Sequence, residues 1–428
     1  MKVSFPRGIH PPHFKDTAAL PIVQVEAEKN SIMFYPMAQH IGAPCKPIVK
    51  AGDYVLVGQK IGDADAHVCA PVVSSVSGTV KSVGANIAVI NDGNYSQTDF
   101  AKADYSSLTA GEIRKRIREA GIVGLGGAGF PTHVKLTPPE DKAIDTYIVN
   151  AAECEPFLTT DHRVMLERTD DVLAGLEVIL HIFPEAKGII AVEDNKPDAI
   201  KLFKEKNKSG RISVVAMETK YPQGGEKQLV FACTGREIPS GKLPMEVGCI
   251  VQNVSTVAAI HKAVNEGRPL LRKVVTIAGG AANNPGNYEA PLGMTFEDLI
   301  NAAGGLKSEP YKIVVGGPMM GQAVLSLKKP VIKTTSGLLL LTEEEAKKPP
   351  EENCFRCGKC VEICPTGLVP TDLTRTAKKR SPLFVEWGGM DCISCASCSY
   401  VCPAHRNIAR HIIDMRQELR DIAVKHTA

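Results

Sequence analysis

Residues 124–135 read GLGGAGFPTHVK, and Gly124, Gly126 and Gly129 fit G-x-G-x-x-G, the spacing of a dinucleotide-binding turn. A Rossmann turn leaves a hydrophobic strand and opens a helix. Here the preceding segment, TAGEIRKRIREAG (109–121), predicts a helix, with Ile113 and Ile117 on one face and Gly121 as its stop. Pro131 follows soon after the loop, and the better strand, TYIVNAAECEP (146–156), comes later. A glycine-rich backbone beside Lys135 can approach a phosphate closely. By the motif alone, a tight glycine turn between helix and strand is the simpler reading.

Downstream of the loop, helical and strand patterns alternate: DVLAGLEVILHIFP (171–184), KGIIAVED (187–194), PDAIKLFKEKN (197–207) and RISVVAME (211–218). That alternation predicts an α/β layer with a largely parallel sheet. The whole chain has 428 residues, which suggests two to four domains. Its 44% hydrophobic and 23% charged residues are those of a soluble globular protein. A net charge of +3 gives no reason to expect nucleic acid as a partner. The most apolar segment, VLAGLEVILHIF (172–183), is too short to cross a bilayer and is interrupted by Glu177 and His181. The stretch MKVSFPRGIHPPHF (1–14) lacks the apolar core of a signal peptide, so a cytosolic chain is expected, one that can still dock on membrane subunits.

Thirteen cysteines would be many for a cytosolic protein if they were scattered, but eight fall between Cys354 and Cys402. CFRCGKCVEICP (354–365) and CISCASCSYVCP (392–403) are both C-x2-C-x2-C-x3-C-P, the bacterial ferredoxin run. Three close thiolates wrap one cubane, and the fourth, beyond the turn, reaches the other. The expected ligand sets are Cys354, Cys357, Cys360 and Cys402 for one [4Fe–4S] cluster, and Cys392, Cys395, Cys398 and Cys364 for the second. A pair of zinc sites is the alternative, but zinc explains neither the third cysteine nor the Cys-Pro ending. The other five (Cys45, Cys69, Cys154, Cys233, Cys249) read as small buried residues. Two adjacent clusters make a wire for single electrons. A hydride donor such as NADH cannot reduce them directly, and a flavin resolves the mismatch.

The loop with NAAECEP (150–156) resembles the NADH- and FMN-binding flavoprotein subunit of respiratory complex I, which carries G-R-G-G-A-G-F-P-T-G-x-K and then N-A-D-E-x-E-P. GGEKQL (224–229) resembles that family's C-G-E-E-T-A-L, and IVQNVST (250–256) its T-x-x-N-N-V-E-T. With a two-cluster tail and GIHPPHFK (8–15) near the start, essentially the whole chain is similar to the RnfC family, a component of the Rnf ion-translocating electron transport complex. The resemblance implies FMN as a bound cofactor and NAD(H) as substrate. It implies that Gly124, Gly126, Gly127 and Lys135 cradle the FMN phosphate and ribityl chain, and that Asn150, Glu153 and Glu155 bracket flavin and nicotinamide. Phe130 would stack on the nucleotide, and Glu226 and Asn253 would line the same cavity. Three positions depart from the family: Leu125 stands for arginine, Ala152 for aspartate and Lys227 for glutamate.

The implied partners are other iron–sulfur and integral membrane Rnf subunits, with ferredoxin reached indirectly, at the cytoplasmic side of the cell membrane. Two rivals remain: a corrinoid reductase of cobalamin-dependent diol degradation, which shares this domain order, and a non-enzymatic electron relay.

The remaining segments complete the division. Residues 1–105 hold an N-terminal region in which KPIVKAGDYVLVGQKIGDAD (46–65) and APVVSSVSGTVKSVG (70–84) are similar to the barrel-sandwich hybrid of lipoyl carriers. The tip stretch DADAHVCAPVVS (63–74) has no lysine, so a structural domain is expected. His67 and Cys69 there, and His10 and His13 near Pro11 and Pro12, are too few to make metal sites. Residues 106–265 form the Rossmann-like FMN/NADH domain. Residues 266–345, with one helix over TFEDLINAAGG (295–305), resemble the β-grasp (SLBB) module; GGPMMG (316–321) reads as a packed turn. Residues 346–428 follow the linker TEEEAKKPPEEN (342–353) and hold the ferredoxin module, with a helical stripe at Ile408, Ile412, Met415, Leu419 and Ile422.

Overall fold

The computed structural model describes residues 3–427, with side chains described up to residue 422. The segment before the glycine loop is the helix Ala110–Glu119, opened by a capping box between Thr109 and Glu112 and anchored by fully buried Ile113 and Ile117. Each such aliphatic side chain stabilises by about 1.5–3 kcal/mol on burial.

The sheet that follows has four parallel strands, Thr146–Ala151, Lys187–Glu193, Ile212–Met217 and Cys249–Asn253. Their spatial order is third, second, first, fourth. The chain therefore builds outward for three strands and then returns to the far side of the first. The order reverses between the first and fourth strands, and the carboxyl ends there form the crevice in which doubly wound sheets bind ligands. Helices Thr169–Ile182 and Val254–Asn265 cover the sheet at close range. A Cβ at Gly175 would lie 2.0 Å from the Val257 carbonyl oxygen, so only glycine permits this approach.

The barrel-sandwich hybrid consists of a four-stranded sheet (Ile32–Pro36, Asn86–Asn91, Gly78–Val83, Tyr54–Val55) and a three-stranded one (Lys46–Pro47, Lys60–Asp63, Val72–Val73). The β-grasp sheet has six strands, and its edge strand, Ile22–Gln24, comes from the N-terminal region and pairs in parallel with Gly286–Pro291. The same N-terminal segment forms bridges at Val3 to Met217 and at Ile9 to Tyr221, and Gly8 N donates to the Ile363 carbonyl, so residues 3–25 lace the β-grasp, α/β and ferredoxin parts together. Its two histidines are exposed while Ile9 and Pro11 are buried, so this segment packs through its apolar residues. One continuous apolar core runs through the barrel, the α/β layer and the β-grasp sheet.

The ferredoxin module has a separate core around Leu373, Phe384, Ile408, Ile412 and Met415. The stripe on the last helix, Ile408–Thr427, buries its first three residues, packs Leu419 against their core, and leaves Ile422 exposed. The linker opens with one helical turn, Glu343–Ala346, because Thr342 and Glu345 make a capping box. Of the five scattered cysteines, Cys45, Cys69 and Cys249 are buried, whereas Cys154 and Cys233 are only partly so.

Candidate functional site: a strand-end cleft joined to a cysteine module

Asn150 and Asn253 end the first and fourth strands and are partners in register, so both side chains stand at the switch point. Asn150 donates from Nδ2 to the Gly224 carbonyl at 2.8 Å. Asn253 caps the helix Val254–Asn265, accepting from Ser255 N at 2.9 Å and donating to the Asp161 carboxylate at 2.6 Å. The Ser255 hydroxyl donates to the other Asp161 oxygen at 2.7 Å.

The glycine loop lies across this end of the sheet. It is a hairpin in which Val123 bridges Pro131, Gly124 N donates to the Phe130 carbonyl at 2.9 Å, and Leu125 N donates to the Thr256 hydroxyl at 2.9 Å. The doubly wound sheet is present, but the loop precedes its first strand and is no Rossmann turn. Residues 126–128 form the exposed tip. A Cβ at Gly126 would sit 2.4 Å from Asn253 Nδ2, whereas a Cβ at Gly127 would meet nothing within 4 Å. Gly126 is therefore required by the approach of the loop to the sheet, and Gly127 keeps an open face. Phe130 is partly buried and belongs to none of the apolar cores.

The charged candidates divide into two groups. Lys135, at the end of the short helix Thr132–Lys135, pairs with Glu226 at 2.6 Å. The carboxylates of Glu153 and Glu155 instead face the chain's own backbone. Glu153 accepts from Asp161 N at 2.6 Å and His162 N at 3.3 Å, and burial pushes its acid up to about 7 against the opposing pull of Lys15. Glu155 accepts from Met319 N at 3.1 Å and Met320 N at 2.9 Å, and burial raises it to about 7 as well. The turn GGPMMG thus does hold an anion, but it is this side chain; a Cβ at Gly317 would lie 2.1 Å from Glu155 Oε2. Lys15 secures the strand exit by donating to the carbonyls of Glu153 at 2.9 Å, Glu155 at 2.8 Å and Leu158.

Each departing position has its own partner. Leu125 is buried and walls a cavity of about 290 Å³, shared with Ile122, Ser255, Lys262 and Lys273, that runs along the helix Val254–Asn265. The Ala152 carbonyl accepts from Lys196 Nζ at 2.7 Å, and Lys196 pairs with Glu193 at 3.0 Å, both almost fully buried. Lys227 donates to the Pro239 carbonyl at 3.3 Å.

Sequence reasoning missed Lys15, Asp161, Lys196 and Tyr221 as organisers of this region. Lys15 closes the GIHPPHFK stretch and was within reach; Asp161 carried no local signal. Around the cleft, the buried acceptors Gln223 Oε1 and Gln228 Oε1 and the Thr132 hydroxyl have no partner within the chain. With an open glycine tip beside a lysine, this donor and acceptor set fits a group that brings hydroxyl and N–H donors together with negative charge.

In the cysteine module the two runs share one backbone pattern. Arg356 and Ser394, second after the first cysteine of each run, both have positive φ, at 55° and 61°. So do Gly358 and Ala396, at 77° and 61°, and Gly367 and His405, at 71° and 51°. Left-handed backbone costs a residue with a side chain of order 1–3 kcal/mol and persists where the surroundings over-determine it. Arg356 N donates to the Cys354 sulfur and Ser394 N to the Cys392 sulfur, each at 3.4 Å. Burial pushes the Cys360 thiol up, and the thiols that push it further are Cys402, Cys354 and Cys357. Burial likewise raises Cys398, followed by Cys395, Cys392 and Cys364. The fold thus gathers the eight thiols into two groups that cross between the runs. Among the described residues, no three of these thiols come within 4.8 Å of one another. A single tetrahedral zinc needs its thiolates about 3.8 Å apart, closer than any three of these thiols stand.

The module touches the cleft at more than one point, Gln228 Nε2 donating to the Pro365 carbonyl at 3.4 Å among them. The Tyr221 hydroxyl donates to the Cys395 carbonyl at 2.9 Å, and Ile9, Tyr221 and Cys395 form a small core with Cys154, Met319 and Ile363 packed on it. Tyr221 stands three residues before Gly224, which Asn150 holds. Cys354 and Cys357, at the other end, are exposed.

Comparison with known families and proteins agrees with this arrangement. Residues 3–98 match the RnfC barrel sandwich hybrid domain, 117–262 the Nuo51 FMN-binding domain, 274–323 the SLBB domain, and 353–405 the 4Fe-4S dicluster domain. The RnfC-type component of the proton-translocating ferredoxin:NAD(+) oxidoreductase complex of Clostridium ljungdahlii is 43% identical, over 89% of this chain and 85% of its own. Its counterpart in the Na(+)-translocating complex of Acetobacterium woodii is also 43% identical, over 88% of each chain. The equivalent component of the ion-translocating oxidoreductase complex of Pseudomonas aeruginosa is 38% identical, and the chain spans half its length. Two solved structures of an NAD+-reducing [NiFe]-hydrogenase, air-oxidized and H2-reduced, share the fold with TM-scores of 0.51 and 0.52 at 19% and 18% identity. The matches cover 66% and 75% of this chain, which spans 54% and 65% of those chains. Among the described residues, no helix is long and apolar enough to cross a membrane.

Proposed function

The chain belongs to the RnfC family of ion-translocating ferredoxin:NAD(+) oxidoreductase complexes, and on that premise we propose that it is the NAD(H)-reactive component of such a complex, docked on integral membrane partners at the cytoplasmic face of the cell membrane. It carries FMN and two [4Fe–4S] clusters. When bound, FMN exchanges hydride with NAD(H) and single electrons with the clusters.

The chain's own residues supply position and electrostatics. Gly126 and Gly127 lay open backbone toward the FMN phosphate, with Gly124 and Phe130 closing the hairpin that carries them. Lys135 turns from Glu226 to the phosphate, and the freed Glu226 faces the nucleotide. Asn150 and Asn253 hold the ribityl side between the two strand ends, each fixed by its partner, Gly224 or Asp161. Glu153 and Glu155 are positioning residues: their carboxylates fix the backbone that leaves the first strand, and burial raises both acids to about 7. Cys392, Cys395, Cys398 and Cys364 ligate the cluster nearer the cleft; Cys354, Cys357, Cys360 and Cys402 ligate the outer one, whose exposed edge faces the partner. The observation that carries this reading is the Tyr221 hydroxyl bonded to the Cys395 carbonyl, which fastens one cysteine group to the strand-end cleft.

Anaerobically purified chain should hold one FMN and the iron of two clusters, and NADH should bleach the cluster absorption. Flavin-free protein whose clusters ignore NADH would leave the electron-relay reading. Lys135→Ala should lower FMN retention at least about tenfold, as expected for a lost charge-assisted contact of about 1.5–3 kcal/mol, with iron content unchanged. Unchanged flavin content would remove Lys135 from the phosphate site.

A further inference from the structure

The barrel-sandwich hybrid contains a cluster that the electron path does not use. His40, Cys45 and Cys69 come from three separate segments, and their ligand atoms all lie within 4.8 Å of one another. The two sulfurs are 3.5 Å apart, and His40 Nε2 is 3.9 Å from each. A tetrahedral zinc ion with bonds of about 2.3 Å to sulfur and about 2.0–2.1 Å to nitrogen places its ligands about 3.8 Å apart for S–S and about 3.6 Å for S–N. The three observed separations depart from those by about 0.3 Å, so one face of a tetrahedron already exists.

From this geometry we propose that His40, Cys45 and Cys69 bind a divalent ion of the zinc class, as a structural site distinct from the iron–sulfur clusters.

The surroundings suit that ligand set. His40 Nδ1 lies 3.0 Å from the Ile41 carbonyl, which fixes the proton on Nδ1 and leaves the Nε2 lone pair toward the sulfurs. In the metal-free chain, Cys45 donates to the Ala70 carbonyl at 3.4 Å, and Ala70 N–H occupies His40 Nε2 at 3.2 Å. Binding releases two thiol protons to solvent and frees that N–H to donate to a thiolate. Two thiolates and a divalent cation sum to zero, so no net charge is added beside the buried Lys333 ammonium. That ammonium is already satisfied by the Pro71 carbonyl at 2.6 Å and the Gly121 carbonyl at 2.8 Å. Cys45 and Cys69 are buried while His40 is partly exposed, so the fourth position opens toward solvent and takes a water. His67, the histidine nearest Cys69 in sequence, is exposed and lies against His133 instead.

The position gives the ion a structural role. His40 Cα would be 3.4 Å from a Cβ at Gly129, so the loop carrying His40 backs directly onto the glycine hairpin. Pinning residues 40, 45 and 69 together stiffens the floor beneath it.

The test uses full-length protein with both clusters loaded anaerobically, so that the eight cluster thiols are occupied. Metal analysis should find about one zinc per chain beside the cluster iron. Replacement by Co2+ should give the intense visible bands of tetrahedral cobalt and a thiolate-to-metal charge-transfer band. Cys69→Ser should abolish both bands, and His40→Ala, at a partly exposed position that leaves the fold intact, should weaken Co2+ binding at least about tenfold with iron unchanged. Zinc-free protein that gives no cobalt bands at full iron content would overturn the proposal. So would a Cys45–Cys69 disulfide in the native protein, or cobalt binding by His40→Ala as tight as that of the unsubstituted chain.

Discussion

The cysteine module and the strand-end cleft, the two proposed cofactor sites, are built by opposite routes. The module draws its eight thiols from two twelve-residue runs that repeat the same left-handed backbone positions. The cleft is assembled from residues between 15 and 320, through side chains that grip backbone in other segments. A site made of local repeats tolerates changes elsewhere and fails when one ligand is lost. A site made of long-range braces loses affinity in steps as each brace goes.

The largest effect should come from the local site. Cys395→Ser should remove about half of the iron, because a cubane needs all four corners held, and should stop NADH from bleaching the other cluster, since Cys395 anchors the group next to the cleft. Full iron content in that variant would undo the assignment of Cys395 as a cluster ligand. Next comes the paired comparison of Gly126→Ala with Gly127→Ala. The first forces a methyl group to within 2.4 Å of Asn253 Nδ2 and should cost about 1–3 kcal/mol in thermal or denaturant unfolding. The second meets nothing within 4 Å and should leave stability within about 0.5 kcal/mol while lowering flavin retention. Equal stability losses would show that the loop does not rest on Asn253.

The last effect is a pH slope. Burial raises Glu155 to about 7 in the folded protein, above its ordinary value of 4.5. Between those values the native state binds more protons than the unfolded one, so the stability this group contributes is present below 4.5 and lost as pH rises through 7. Glu155→Gln removes that loss. Its melting temperature relative to the unsubstituted chain should therefore climb between about pH 5 and 8, and a flat difference would mean that the carboxylate is not desolvated.

The same contrast explains what the sequence made legible. The cysteine spacing announced both clusters, since the thiol pattern there is encoded within twelve residues. The alternation of helix and strand announced the parallel sheet, and Gly124, Gly126 and Gly129 marked the loop. The glycines alone did not place the loop, because G-x-G-x-x-G describes close backbone approach and not topology; its flanks did, with the helix before it and the strand after it. Glu153 and Glu155 read as nucleotide-facing acids, yet both carboxylates are held by backbone N–H groups, one of them from a turn more than 160 residues away. Nor could spacing reveal His40 beside Cys45 and Cys69, which meet only when the barrel closes.

The lacing of residues 3–25 bears on how the chain is made. These residues leave the ribosome early, yet Ile22–Gln24 must wait for Gly286–Pro291, and Gly8 N for the Ile363 carbonyl. Contacts of such sequence separation demand loop closure before they return any stabilisation, so they form late and slowly. This early segment is therefore seated late. Until Gly286–Pro291 has emerged, Ile22–Gln24 remains an unpaired strand at risk of pairing with a neighbouring chain.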